Sequence, residues 1–185
     1  MRKWVMFFII ISLLATLLIA CADKKDDISF LVKLKQALAS ANTQYDKIYH
    51  VEPIKDGVLL FYTNDNALYS AFIRESFNKW EFVNGGGSTP LKSETPLSFH
   101  GANFKEVTLW LSYGVISDEN IYKLSVEQDY TNMNMQQIEE KKNANIIMIE
   151  DGIRFWYVIW NEPSHPPAKY TAFNADGEVI YKRGF

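Results

Sequence analysis

The sequence predicts an α+β domain that is mainly antiparallel β. Near the start, apolar residues between Ile28 and Ala41 recur at three- and four-residue intervals, the period of a helix with one buried face. After Tyr45 the chain is a series of short apolar runs of strand length, separated by Gly, Asn, Asp and Pro. Two of the separations, Asp56-Gly57 and Asp151-Gly152, are the pair that tight hairpin turns favour. Together these imply one N-terminal amphipathic helix packed on an antiparallel sheet of about nine strands.

Taken in order, the chain opens with Met1-Arg2-Lys3 and an uncharged apolar run from Trp4 to Ala20, then turns polar at Ala22-Asp23-Lys24-Lys25-Asp26-Asp27. A charged start, an apolar stretch and a small-residue end make a secretory signal, here a signal helix. Its two cations hold the start on the cytoplasmic side, with the rest of the chain outside. The segment ends Leu18-Ile19-Ala20-Cys21. These residues resemble the lipobox of bacterial lipoproteins, in which a branched and a small residue precede an invariant cysteine. The resemblance implies that the Cys21 thiol receives a diacylglycerol, that a peptidase cuts before it, and that Cys21 becomes the new N-terminus. Residues 1–20 are then a signal peptide, 21–27 a lipidated tether, and 28–185 a single extracytoplasmic domain. The opposing reading is an uncleaved membrane helix, for which Trp4–Ala20 lies at the short end of the roughly 20 residues a span requires. The place of the lone cysteine favours the lipobox. Two or three acyl chains, palmitate among them, anchor stably where one would not, so the expected location is the outer side of the cell membrane.

The formal net charge is −3 for the whole chain. Loss of residues 1–20 removes Arg2 and Lys3 and no anion, leaving a more acidic domain without the basic footprint of a nucleic-acid binder. Because the one cysteine is spent on the lipid, no disulfide, thiol nucleophile or cysteine metal site is expected. An exported domain without disulfides suits a Gram-positive surface better than an oxidising periplasm.

The tether from Ala22 to Asp27 reaches roughly 20 Å when extended. The helix over 28–41 carries Ile28, Leu31, Val32, Leu38 and Ala41 among lysines, with Asp26 or Asp27 as N-cap and Asn42 near its end. Ile48–Ile54 and Val58–Thr63 form a first hairpin, and Ala67–Arg74 and Lys79–Asn84 a second after the Asn64-Asp65-Asn66 turn. Gly85-Gly86-Gly87-Ser88-Thr89-Pro90, extended by Lys92–Pro96, is expected to break the strands into two halves. Phe104–Ile116 reads as one long strand, followed by Ile121–Gln128. The polar stretch Asp129–Asn145 fits a strand, a short helix around Gln136–Lys142, or a loop. Ile146–Glu150 with Ile153–Asn161, and Tyr170–Phe173 with Glu178–Lys182, close the chain as two hairpins around the Pro163–Pro167 loop.

Few motifs in the sequence carry chemistry. His50, His100 and His165 are far apart and share no metal-ligand spacing. Ser76-Phe77-Asn78-Lys79 has the Ser-x-x-Lys spacing of β-lactamases, but falls in a turn where no helix brings lysine to serine, and the companion motifs are missing. Gly85–Ser88 lacks the Gly-Lys-Ser/Thr and helix of a phosphate cradle. Asn64–Asn66 and Asn174–Gly177 lack the glutamate that completes a calcium loop and read as turns. Glu139-Glu140 and Glu150-Asp151 are neighbours that a strand sends to opposite faces. No metal and no cofactor beyond the covalent lipid are expected.

The aromatic content, 15%, is the feature with most room for function. Ile153–Asn161 is apolar on both faces, as a central strand covered on both sides would be. Trp80, Phe82, Trp110, Trp156 and Trp160 read as core. The sharper reading leaves Trp80, Trp110, Trp156 and Trp160 on an exposed aromatic platform, a candidate binding surface for a sugar, a peptidoglycan strand or a partner protein. The function expected is a membrane-anchored, non-enzymatic binding or interaction module. The alternatives are an envelope hydrolase assembled from scattered residues, or an accessory subunit of a membrane complex.

Overall fold

A computed structural model describes residues 30–77, 79–131, 136–149, 152–160 and 168–184. Helix α1 covers residues 30–40. Of the described apolar residues read as its stripe only Leu38 is buried; Leu31, Val32 and Ala41 are exposed, and the buried face is Leu34, Ala37 and Leu38, at the spacing of one helical face. It ends where Asn42 takes a left-handed φ of 52° and Thr43 N–H bonds back to the Leu38 carbonyl at 3.0 Å, as helix C-termini commonly do. The expected N-cap, Asp26 or Asp27, lies outside the described residues.

The strands are β1 (Lys47–Ile54), β2 (Gly57–Asn64), β3 (Ala67–Ser76), β4 (Lys79–Pro90), β5 (His100–Phe104), β6 (Leu109–Ile116), β7 (Lys123–Thr131), β8 (Gln137–Asn143), β9 (Asn145–Met148), β10 (Arg154–Trp160), β11 (Ala168–Phe173) and β12 (Val179–Arg183). They form three four-stranded sheets: A is β1-β2-β3-β4, B is β5-β6-β10-β9 and C is β12-β11-β7-β8. The four hairpins read from the sequence are present, but among the described residues twelve strands in three sheets replace the expected single sheet of about nine. Sheet A is a meander. After it the hairpins alternate between B and C, and β10 returns to pair with β6 as β11 returns to pair with β7.

Three apolar cores stack the layers. Leu34, Ala37 and Leu38 meet Val58, Leu60, Tyr62, Ala71 and Ile73, on the helix side of sheet A. Leu59, Phe61, Leu68 and Phe72 meet Phe104, Leu111, Tyr113, Val115, Phe155 and Tyr157 between A and B. Leu124, Val126, Tyr170 and Ala172 meet Ile116, Trp156, Val158 and Trp160 between B and C. The order is therefore α1, A, B, C, and β10 buries one face in each of the last two cores. That explains a strand apolar on both sides, each fully buried large side chain contributing roughly 1.5–3 kcal/mol.

Two local expectations are corrected, and within 129–145, read as strand, helix or loop, the strand reading holds for Gln137–Asn143. Gly85–Gly87 does not break the chain but lies within β4, paired to β3 across register shifts at Tyr69/Ala71 and Phe72/Ile73. A Cβ on Gly86 would meet Ala102 and Phe104 of the neighbouring sheet at 2.8 and 2.9 Å, so the glycine marks close approach of sheets A and B. Phe104–Ile116 is not one strand: a 3-10 turn at Lys105–Val107 and left-handed Thr108 separate β5 from β6. Within Asp129–Asn145, β8 is an extended edge strand and not a short helix around Gln136–Lys142.

Candidate functional site

Cys21, His165 and the Pro163–Pro167 loop lie outside the described residues. Trp156 and Trp160 are 0% exposed, which corrects their assignment to an exposed platform. The Trp156 indole N–H donates to the Ser98 carbonyl at 3.1 Å and that of Trp160 to Ser112 Oγ at 3.0 Å, so both rings and their polar ends are satisfied inside the fold. Trp80 is half-buried against Phe30, and Trp110 packs half-buried on the B–C core. Trp80 packs on the helix side of sheet A and the other three on the B–C core, so the four form no exposed platform.

The other sequence features resolve as fold chemistry. Ser76 and Lys79 face each other across the β3–β4 hairpin. Asp65 and Asn66 hold the positive φ of a turn, and the Asp65 N–H bonds Asp46 Oδ2 at 3.1 Å. Asn174 Oδ1 accepts from the backbone N–H of Asp176 and Glu178 at 3.1 and 2.8 Å. His100 meets Tyr113 edge-on, and the Tyr113 hydroxyl donates to the Gly87 carbonyl at 2.7 Å.

One convergence of polar groups joins the first two sheets. A bulge in β1 between Ile48 and His50 breaks the alternation, leaving Ile48 and Val51 against the helix-side core and Tyr49 on the A–B core. His50 and Glu52 then point together toward β10. Tyr157 donates its hydroxyl to Glu52 Oε2 at 2.6 Å, and His50 Nε2 lies 3.2 Å from the same oxygen and 3.1 Å from the Tyr157 hydroxyl. Burial, reinforced by the Glu52 carboxylate, pushes the Tyr157 phenol well above its ordinary value. The three polar groups satisfy one another and tie sheet A to sheet B. Tyr157→Phe keeps the ring against Phe61, at 5.0 Å between centroids, and removes only the short charge-assisted bond. It is expected to lower stability by about 1.5 kcal/mol, read as a lower urea midpoint at unchanged slope.

The outer face of sheet C is the second place where side chains gather. β7 and β11 alternate, with Leu124, Val126, Tyr170 and Ala172 inward, so Ser125, Glu127, Lys169, Thr171 and Phe173 fall on the other face. Glu127, Asp129 and Glu139 bring carboxylate oxygens within 4.8 Å of one another. The Lys169 ammonium lies 2.8 Å from Glu127 and 3.4 Å from Asp129 and supplies the counter-charge. Its hydrogen bond holds the Glu127 carboxyl below the usual range, and the Lys169 ammonium is correspondingly raised. Beside this cluster is an open concavity of about 470 Å³, lined by Lys141, Thr171, Phe173, Val179 and Lys182 among others. Ser125, on the same face, is buried with no hydrogen-bond partner for its hydroxyl among the described residues.

No family model, curated protein or solved structure matches the chain. Among the described residues, no helix is long and apolar enough to cross a membrane. Sequence reasoning missed both gatherings. His50 and Glu52 carried a signal, two residues apart on a strand and therefore on one face, but Tyr157 lies more than a hundred positions on, with nothing local to connect them.

Proposed function

We propose that the chain is a membrane-anchored extracytoplasmic lipoprotein, lipidated on Cys21, that works by binding without catalysis and meets its partner with the outer face of sheet C. The observation that carries the reading is that, among the described residues, no apolar core lies on that face. Every other sheet face borders one of the three apolar cores, whereas this one carries the concavity, two apolar side chains, several lysines and a buried hydroxyl without a partner among the described residues. Such a mixture suits a polar partner with some anionic groups, an envelope protein or a cell-wall strand. An accessory role beside a membrane complex is one form of the same reading. Glu52, His50 and Tyr157 favour a second, an envelope hydrolase using acid–base chemistry. Hydrolysis of cell-wall fragments that Glu52→Gln abolishes would establish it.

The test is cross-linking in intact membranes followed by purification of the full chain. The wild type is expected to capture one partner. Lys182→Glu, which reverses a charge on the open face, should weaken capture, and Cys21→Ala should lose both lipid and partner. A Cys21→Ala chain that still incorporates labelled palmitate would remove the lipid-anchor reading. Capture unaffected by Lys182→Glu would place the partner elsewhere.

A further inference from the structure

The first described turn of helix α1 lies beside the tip of the β3–β4 hairpin. The Phe30 ring meets Trp80 edge-on, with centroids 5.1 Å apart. Trp80 pairs with Glu75 and, one step nearer the tip, Ser76 pairs with Lys79. The turn beyond them carries Phe77, which is 99% exposed with a φ of 49°. A left-handed backbone suits Gly, Asn or Asp and is costly for a bulky side chain. Phe77 thus serves neither the turn nor its solvation. Leu31 and Val32, in the first turn of α1, are 41% and 46% exposed. With Leu34, Ala37 and Leu38 inward, the helical period sets Leu31 on the flank of the buried stripe and Val32 on the outer side.

Eight residues, Ala22 to Ser29, separate Cys21 from Phe30, and at full extension they reach about 28 Å. The end bearing these three apolar side chains is therefore the end a lipid on Cys21 would hold closest to the bilayer. Resting on the lipid-anchor reading, we propose that this end lies in the lipid surface, with Phe77, Leu31 and Val32 seated at the boundary between headgroups and acyl chains. The nearby charges are mixed: Lys33, Lys35 and Lys79 are exposed together with Glu75 and Glu81. The contact is apolar, not electrostatic, and resists salt. It fixes the orientation of the domain relative to the membrane. Sheet C lies three layers from α1 in the stack.

The test uses the full lipidated chain in vesicles of phosphatidylethanolamine and phosphatidylglycerol. Lipidation blocks Cys21, so Lys79→Cys gives one thiol for a fluorophore beside the intact Phe77, and Lys182→Cys gives a reference on sheet C. The label at 79 is expected to be quenched by a lipid-borne nitroxide and shielded from aqueous iodide, at low and high salt alike, with the reverse at 182. Phe77→Gly suits the turn, so it should keep the fold while losing the lipid quenching at 79. Equal iodide access at 79 and 182 overturns the proposal. Failure of the anchor itself is distinct: the wild-type chain would then take up label at Cys21 and leave the vesicles.

Discussion

Raising the pH through 10 toward 12 is expected to unfold the domain in one cooperative step, releasing the protons of four buried tyrosines together. Burial pushes Tyr62 and Tyr170 from 10.0 up to about 12, with the neighbouring Tyr69 adding to the shift at Tyr62 and Arg183 opposing it at Tyr170. Tyr113 and Tyr157 are raised further, Tyr113 through burial and Tyr157 through burial and the Glu52 carboxylate. A folded-state value above the unfolded one means that the folded state keeps its protons longer. The stabilisation is complete below pH 10 and is lost as the pH rises through the folded values. A rise from 10.0 to about 12 at each of Tyr62 and Tyr170 amounts to at most about 5 kcal/mol, solvent screening at Tyr62 reducing its share, and that is comparable with the whole stability of a small domain. Tyrosinate absorbance and far-ultraviolet circular dichroism should therefore change together, and Tyr157→Phe should make the transition shallower by one proton. Full ionisation of all ten tyrosines near pH 10, with the dichroism unchanged, would show that these side chains are open to solvent.

The same buried rings show what the sequence could and could not convey. The hairpins were legible because turn chemistry is local: Asp56, Asp65 and Asn66 all hold positive φ at the turns their residue types suggest. The central place of β10 was legible because Phe155 and Tyr157 alternate with Trp156, Val158 and Trp160, leaving no face for water. Membership of the three sheets was not legible. It is set by the pairing of β10 with β6 and of β11 with β7, each about forty positions apart along the chain, and no local pattern encodes it. β8 escaped for another reason. As an edge strand of sheet C with Gln137, Glu139, Lys141 and Asn143 all exposed, it lacks the apolar alternation that marks a strand. Its inward Lys142 is held by the Ile159 carbonyl at 3.0 Å and by the Trp160 ring at 5.0 Å, partners that only the assembled fold supplies. The open face of sheet C was hidden by the same polarity, since charged residues there read equally well as a loop.

Gly114→Ala, the addition of one methyl group, is expected to cost about 3–5 kcal/mol and lower the melting temperature by roughly 10 °C. Gly114 stands within β6, in the middle sheet, where glycine has no propensity to recommend it. A Cβ there would collide with the Ser98 carbonyl oxygen and come within 2.8 Å of the Trp156 indole nitrogen, the two atoms that already bond each other at 3.1 Å. Neither can move freely. Ser98 N–H donates to the Val115 carbonyl at 2.9 Å, and Ser98 Oγ accepts from the Val115 N–H at 2.8 Å and from Thr89 Oγ1 of β4 at 2.9 Å. Just before it, the fully buried Leu97 bridges to Ile116. Making room means either displacing this segment, which unseats Leu97, or turning Trp156, which leaves a buried N–H without its acceptor. Gly101→Ala is the control, since a Cβ there meets nothing within 4 Å, and its melting temperature should match the wild type. Equal melting temperatures for the two variants would mean that Leu97–Ser98 is loosely held and that Trp156 is not fixed by it. A large drop confined to Gly114→Ala would identify the Ser98 carbonyl as the point where the strand-free segment 91–99 locks onto the middle sheet.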